Sequence, residues 1–208
     1  MKNQKMLLSV VTISITLFLV ECATQSTASA ENQIDVSKKH FPEIKVAQIE
    51  SLMNPKVKLG KHSGMFFTGF TYYADCINPE AILTNGKRFS DLYTASIKWV
   101  LGDAGYKTAS DNNIKARLSI RGTILRAQFN TWYRVFVPHL VNAEASITVK
   151  WEVYDQQKRT IIYAKEISGK GETEGLDVEA VLLAFRNSLR EFLASNDLVL
   201  SIEKHFHD

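Results

Sequence analysis

The side chains that could take part in chemistry are few and lie far apart in this sequence of 208 residues. Of its five histidines, only His205 and His207 are close neighbours, and such a pair could bind a metal ion weakly. A polar chain end that frays in solvent explains the same pair without a ligand. A hydrolase would need a carboxylate beside His62 or His139 in the folded chain. We therefore predict no catalytic residue, metal site or cofactor, and a protein that is not an enzyme.

A glycine-rich stretch, "SGKGETEG" at 168–175, resembles a phosphate-binding loop only at first sight. It lacks the G-x-x-x-x-G-K-[ST] spacing, and it lies between an apparent strand and a late helix with no parallel crossover. We interpret it as a connecting loop. No nucleophile elbow of the G-x-S-x-G type occurs either.

The N-terminal segment has the pattern of an export signal. Lys2 and Lys5 precede residues 6–20, of which 11 are apolar and the others are Ser or Thr. A signal-peptide core has roughly 7–15 apolar residues, whereas a spanning helix needs about 20. We predict a signal peptide at 1–30, a flexible tether at 31–42 and a single domain at 43–208, with an uncleaved membrane helix as the alternative.

Two processing points follow this apolar core. Ala28-Ser29-Ala30 has the small-x-small form of a signal-peptidase site, whereas Leu19-Val20-Glu21-Cys22 resembles a lipoprotein box in which Cys22 would carry the lipid. The lipoprotein motif has a small residue where Glu21 stands, and both outcomes remain open. In either case Cys76 has no internal disulfide partner, and we expect it to be a buried, inert thiol.

The charge balance argues against a nucleic-acid partner. The formal net charge is only +3, and basic residues are interspersed with acidic ones along the chain. Binding to nucleic acid depends on a concentrated basic surface, which this pattern does not produce.

One aromatic stretch, "QFNTWYRVFVPHLV" at 128–141, has too many large apolar groups for an ordinary solvated connection. It could extend two neighbouring strands and belong to the core. It could instead form an exposed lip that docks on a membrane, a lipid or a partner protein. The candidate contact residues of this lip are Phe129, Trp132, Tyr133, Arg134 and Phe136.

These residues must be positioned by a small number of regular elements. Apolar side chains alternate with polar ones over 116–124 and 143–154, and "DQQKR" would turn the second strand back into a third. Apolar residues recur at helical spacing over 88–106 and, more regularly, over 177–195. We predict a two-layer α+β fold: a mainly antiparallel sheet of four to five strands with two long amphipathic helices on one face.

The pattern "AEASITVKWEVYD", "IIYAKEISGKGETEG" and "EAVLLAFRNSLREFLAS", after "LYTASIKWVLGDAGY", resembles exported lipoproteins of Gram-negative bacteria. These are the YajG-like proteins and the auxiliary lipoproteins of ABC-type transporters, and the α/β domain of curli-secretion lipoproteins is similar. The resemblance covers roughly 89–195. It implies a periplasmic protein, anchored to the outer membrane if Cys22 is lipidated.

Together these patterns favour a non-enzymatic accessory protein of the cell envelope. It would act in assembly or transport by binding an envelope protein complex or a lipid, with self-association into a homo-oligomer as a further option. The alternative is a periplasmic carrier that holds a lipid or small molecule between the sheet and the helices.

The export signal makes the first testable prediction. The mature protein should begin either at Glu31 or at a lipidated Cys22, because both processing points follow the apolar core. N-terminal sequencing and mass spectrometry of the protein from the exporting cell distinguish the two. A mature chain that still begins at Met1 would contradict the prediction of a cleaved leader.

Overall fold

Three long strands form an antiparallel meander at the centre of the fold. They are β5 (Leu118–Tyr133), β6 (Val141–Asp155) and β7 (Thr160–Glu174). The turn between β6 and β7 contains Arg159, whose φ of 56° lies in the left-handed region. The computed structural model describes residues 43–63, 71–83, 86–110, 116–133, 141–174 and 177–207.

Shorter strands complete the sheet along the free edge of β5. Strands β1 (Ile44–Val46), β2 (Glu50–Ser51) and β3 (Lys58–Ser63) follow one another along this edge and pair parallel with β5. Strand β4 (Thr71–Tyr73) pairs antiparallel with β3, which gives the order β4-β3-β5-β6-β7. The α+β class is confirmed, but the sheet is mixed rather than mainly antiparallel, because a crossover through a helix returns the chain to β5 in the direction of β1–β3.

A register shift in β5 decides which side chains reach the core. Ile120 and Ile124 point to the core face, and the shift between Ile124 and Arg126 inserts one extra residue. Beyond it, Phe129 and Thr131 are the buried residues. Because alternate residues of a strand face opposite ways, one inserted residue exchanges the two faces for the rest of the strand.

Helix α2 (Asp177–Leu193) lies directly on β7 through small residues. A Cβ at Gly169 would overlap the carbonyl oxygen of Ala184, and one at Gly171 would overlap that of Ala180. The glycine-rich stretch that we interpreted as a loop is therefore mostly strand, since β7 extends to Glu174. Its glycines let the helix backbone approach the strand backbone.

Aromatic side chains fill the remaining space between the sheet and α2. Trp151 is fully buried, and its ring lies 5.2 Å from that of Phe185 and 6.2 Å from that of Phe192. Its indole Nε1–H donates to Ser188 Oγ at 3.2 Å. Gly122, opposite Trp151 on β5, leaves room for the indole, since a Cβ there would come within 2.8 Å of the ring.

Helix α1 (Phe89–Asp103) packs against α2, where the rings of Tyr93 and Phe185 lie 4.5 Å apart. The helix ends at Asp103 with Ala104 as its C-cap, and the next residue, Gly105, has a φ of 82°. There the Gly105 N–H donates to Gly102 O and the Tyr106 N–H to Leu101 O, as in a Schellman motif. The placement of both long helices on one sheet face stays a prediction.

A third helix, α3 (Asn196–His207), follows α2 almost without a break. Leu198, Val199 and Ile202 are buried, so the segment is an amphipathic helix.

The contact between α2 and β7 makes the second prediction. Gly169→Ala should lower the free energy of unfolding by about 2–3 kcal/mol, because the new methyl group meets helix backbone that has little room to move. Urea denaturation measures this change. Gly102→Ala is the matched control: apart from its chain neighbours and the backbone of its own helix, no heavy atom would lie within 4 Å of its Cβ, and the variant should be as stable as the wild type or more so. Equal behaviour of the two variants would contradict the proposed packing.

Candidate functional site

The face of the long strands opposite α2 is a polar surface that extends over β5, β6 and β7. We call it the open face. On β6 it consists of residues that are all exposed or partly exposed: Asn142, Glu144, Ser146, Thr148, Lys150, Glu152 and Tyr154. The residues that alternate with them on β6 are buried on the helix side: Ala143, Ala145, Ile147, Val149, Trp151 and Val153. A half-buried sheet with one polar face is the arrangement that the alternation in the sequence predicted.

Polar contacts between side chains organise the open face. Thr148 Oγ1 and Ser168 Oγ lie 2.8 Å apart across β6 and β7. The Glu152 carboxylate lies 2.7 Å from Lys150 Nζ, and its hydrogen bond and charge raise the pKa of Lys150. At the same end of the face, the Arg121 guanidinium lies 4.1 Å from the centre of the Tyr154 ring.

The opposite end of the open face carries an exposed tryptophan beside carboxylates. Trp132 is 37% exposed and pairs with Asn142, which in turn pairs with Glu174. These residues, with Ala143, Glu172 and Thr173, line a shallow cleft of about 270 Å³. An indole ring near carboxylates favours cationic groups, because both attract positive charge.

The structure describes three of the five candidate residues of the aromatic stretch, and it places each of them differently. Phe129 is 4% exposed and packs edge-on against Tyr72 at 4.6 Å, so it belongs to the core and is not available to a partner. The register shift in β5 turns Phe129 inward and Trp132 outward. Tyr133 is the last residue of β5, paired with Val141.

The remaining candidate positions lie outside the described residues. They are Arg134, Phe136 and His139, together with the leader and Cys22. Cys76 is described, and it is exposed rather than buried because the short helical turn of Ala74–Ile77 buries Ala74 and Ile77 instead.

A second cluster of charged side chains is centred on Asp155, at the end of β6. Its carboxylate is fully buried, and Oδ2 accepts a hydrogen bond from Arg117 Nε at 2.9 Å and lies 2.8 Å from His205 Nε2. Oδ1 accepts the backbone N–H groups of Gln157 and Lys158 at 2.7 and 2.9 Å. The cluster attaches α3 to the start of β5 and to the β6–β7 turn. We call it the Asp155 clamp.

The hydrogen bonds of the clamp determine the ionisation of Asp155. Burial by itself would raise the pKa of the carboxyl. The donors that face it are the Lys158 N–H, His205, Arg117 and the Gln157 N–H, and together they hold the pKa well below its ordinary value of 3.8. Asp155 is therefore an ionised structural group at neutral pH.

Sequence patterns did not reveal the clamp. His205 was interpreted as part of a frayed end, yet it lies in α3 with its ring mostly buried. Arg117, Asp155 and His205 are separated by 38 and 50 residues, and only the folded sheet brings them together. The one local signal was Asp155 at the head of the "DQQKR" turn, since Asp commonly accepts the N–H groups of a following turn.

Among the described residues, no group of three or more His, Cys, Asp or Glu side chains is arranged to hold a metal ion. Within the same part of the chain, no helix has the length and apolar character needed to cross a bilayer.

Comparison with known proteins gives no family assignment. No protein-family model matches the chain, and no curated protein matches it. The resemblance to the YajG-like group accordingly stays a prediction.

The chain is similar to several solved structures at low sequence identity. A Xanthomonas campestris protein of the DUF330 family is 13% identical, with 80% of this chain and 89% of that one covered and a TM-score of 0.45. The PelC dodecamer from Paraburkholderia phytofirmans is 11% identical, with coverage of 74% and 86% and a TM-score of 0.37. A minor lipoprotein from Acinetobacter baumannii is 12% identical, with coverage of 55% and 86% and a TM-score of 0.28. All three TM-scores are below 0.5.

The third prediction concerns the pH dependence of the stability that the Asp155 clamp contributes. Because the pKa of Asp155 is lowered in the folded state, the stability that its charge contributes is present above about pH 3.8 and is lost as the pH falls further. Asp155→Asn should cost about 2–3 kcal/mol of unfolding free energy at pH 7, since it removes charged hydrogen bonds. Urea denaturation from pH 7 down to pH 2.5 should show the difference from wild type shrinking with acid.

The control for this prediction is Asp197→Asn, at an exposed carboxylate in the first turn of α3. Its effect at pH 7 should stay below about 1 kcal/mol, as is usual for an exposed charge at a helix start. A deficit of Asp155→Asn that is the same at every pH would show that the carboxylate charge is not what stabilises the clamp.

Proposed function

We propose that this protein is exported to the cell envelope and serves there as a non-enzymatic accessory protein that binds a partner protein on the open face. The observation that carries this proposal is the extent of that face: three strands of 16, 15 and 15 residues leave one side polar, and among its described side chains only Ser119, at the start of β5, is buried. Residues on such a surface are available for recognition without any rearrangement of the core.

The Trp132 end of the open face is the centre of the proposed contact. Tryptophan is enriched among the residues that dominate binding energy, because its large ring buries much area at a low entropic cost. The exposed carboxylates Glu144 and Glu172 lie close by on β6 and β7. We therefore expect the partner to present lysine or arginine side chains to this end of the sheet.

The interior of the described domain counts against the alternative of a carrier. A carrier would hold its ligand between the sheet and the helices, but there α2 meets β7 backbone to backbone at Gly169 and Gly171. Trp151, Phe185 and Phe192 fill the space beside this contact. A lipid in this layer would have to displace the core.

The localisation in this proposal depends on the leader. Cleavage after Ala30 would release the protein into the periplasm, whereas a lipid on Cys22 would anchor it to a membrane, with the outer membrane as the proposed location. The binding role of the open face is the same in both cases.

The fourth prediction tests the open face by photo-crosslinking in the exporting cell. A benzoylphenylalanine at Ser146 should form adducts with a defined partner, whereas the same group at Leu200 on α3 should not. The mass of the adduct tells a second copy of this chain from another envelope protein. Equal adducts from both positions, or none from Ser146, would contradict the proposal.

Once the partner is isolated, Trp132→Ala should weaken the complex by roughly 30-fold, the equivalent of ~2 kcal/mol for a residue at the centre of a contact. Trp99→Ala is the matched control, because Trp99 is also exposed but lies on α1 beside Arg186 and Arg190. Titration by calorimetry measures both affinities. An unchanged affinity for Trp132→Ala would remove this end of the face from the contact.

A further inference from the structure

Two glutamates face each other beside the cleft at the Trp132 end of the open face. Glu144 of β6 and Glu172 of β7 are directly opposite in the strand register, and both are exposed. Side chains at such positions lie on the same face, roughly 5 Å apart at Cβ, and two like charges there destabilise the pairing. Neither carboxylate forms an ion pair with another described residue. The pair therefore lacks a positive group that would compensate it.

The cations that the structure describes at this end of the open face lie away from the two glutamates. Lys170 is the next residue of β7 on the same face, on the side away from Trp132. Lys61 lies across β5 on β3, where its backbone N–H donates to Asn130 Oδ1 at 3.2 Å. Glu174 adds a third carboxylate on the Trp132 side. Neither ammonium group is among the groups that line the cleft, whereas Glu174 is.

The cleft has the dimensions of a single side chain. Its volume is about 270 Å³, below the roughly 300–1,000 Å³ typical of pockets for small-molecule ligands. Trp132, Asn142 and Glu174 follow one another across the sheet, so an indole ring, an amide and a carboxylate border the cleft in this order. Glu172 lines it as well. A ligand here meets aromatic surface on one side and negatively charged hydrogen-bond acceptors on the other.

We propose that this cleft binds one arginine side chain of the partner protein and discriminates against lysine. The inference rests on the proposed function, since it takes the occupant to be part of a protein that meets the open face. The planar guanidinium group would stack on the exposed ring of Trp132 and donate hydrogen bonds to Glu172 and Glu174. Its charge would compensate the facing pair of Glu144 and Glu172.

Arginine fits this cleft better than lysine for two physical reasons. A guanidinium group is flat and weakly hydrated, so it stacks on an aromatic ring at a lower cost in desolvation than a compact ammonium group. Its five N–H donors also form a rigid fork that can reach more than one acceptor at a time. Glu172 and Glu174 are alternate residues of β7, which places their carboxylates on one face about 7 Å apart at Cα. Such a pair of acceptors suits a fork more than a point charge.

NMR of the indole groups tests the proposal, because the protein has three tryptophans and their Nε1–H signals can be followed separately. The signal that is lost in Trp132→Phe belongs to Trp132. It should shift on titration with N-acetylarginine methylamide, whereas the signals of Trp99 and Trp151 should not. N-acetyllysine methylamide should bind at least about fivefold more weakly, since it neither stacks nor forks.

Free arginine distinguishes a side chain within a protein from the amino acid itself. Its α-carboxylate would be repelled by the glutamates of the cleft, so it should bind more weakly than the capped form. Free arginine that binds as tightly as the capped form would contradict a protein side chain as the occupant.

The variant Glu172→Gln should weaken the binding of N-acetylarginine methylamide by at least about fivefold, because it removes a charged acceptor. It should not lower the urea midpoint, since it also removes one of two facing like charges. Glu166→Gln is the matched control: Glu166 is an exposed carboxylate of the same strand and face, but it is opposite Lys150 and away from the cleft. This control should bind the arginine compound like the wild type.

Three results would each overturn the proposal: equal affinity for the arginine and lysine compounds, an unshifted Trp132 signal, or equal losses in Glu172→Gln and Glu166→Gln. The titration uses no partner protein. Its failure is therefore a separate result from an absence of adducts at Ser146, which would count against the proposed function.

Discussion

The direct contact between the backbone of α2 and the backbone of β7 is the constraint on which the rest of this fold depends. It requires glycine at positions 169 and 171 and small residues at Ala180 and Ala184 of the helix. With the helix at this distance, Phe185 and Phe192 reach Trp151, and Trp151 in turn occupies the space that Gly122 leaves on β5. One choice of small residues thus fixes the thickness of the core layer and the place of its largest side chain.

The register shift in β5 has a comparable effect on the surface. Without the extra residue between Ile124 and Arg126, the alternation of the strand would turn Trp132 toward the core and Phe129 toward solvent. The shift makes Phe129 a core residue beside Tyr72 and leaves Trp132 accessible near Glu174. A small irregularity in the pairing therefore determines which aromatic groups the open face presents.

Much of the architecture could be predicted from periodicity, and the misses have physical reasons. The spacing of Phe185, Leu189 and Phe192 identified the core side of α2, because large apolar groups dominate helical patterns. The small residues that let the helix lie close were not recognised, since Ala, Ser and Gly give little hydrophobic signal. For the same reason "SGKGETEG" was interpreted as a loop although most of it is strand.

Trp132 was named from its type, but the sequence could not separate it from Phe129, because a register shift is a property of the pairing of two strands. The parallel pairing of β1–β3 was missed because each of these strands is too short to produce an alternating pattern.

The Asp155 clamp depends on residues from three distant segments, and such meetings are set by topology and not by local pattern. The clamp also orders events in time. Its partners come from the start of β5, the end of β6 and the last helix, so the attachment forms only when residue 205 is available. Synthesis from the N-terminus delivers that histidine after all three strands of the meander. Docking of α3 is then a late step, because it closes loops of 38 and 50 residues between the partners of the clamp. A chain that ends before residue 205 leaves Asp155 without the His205 donor.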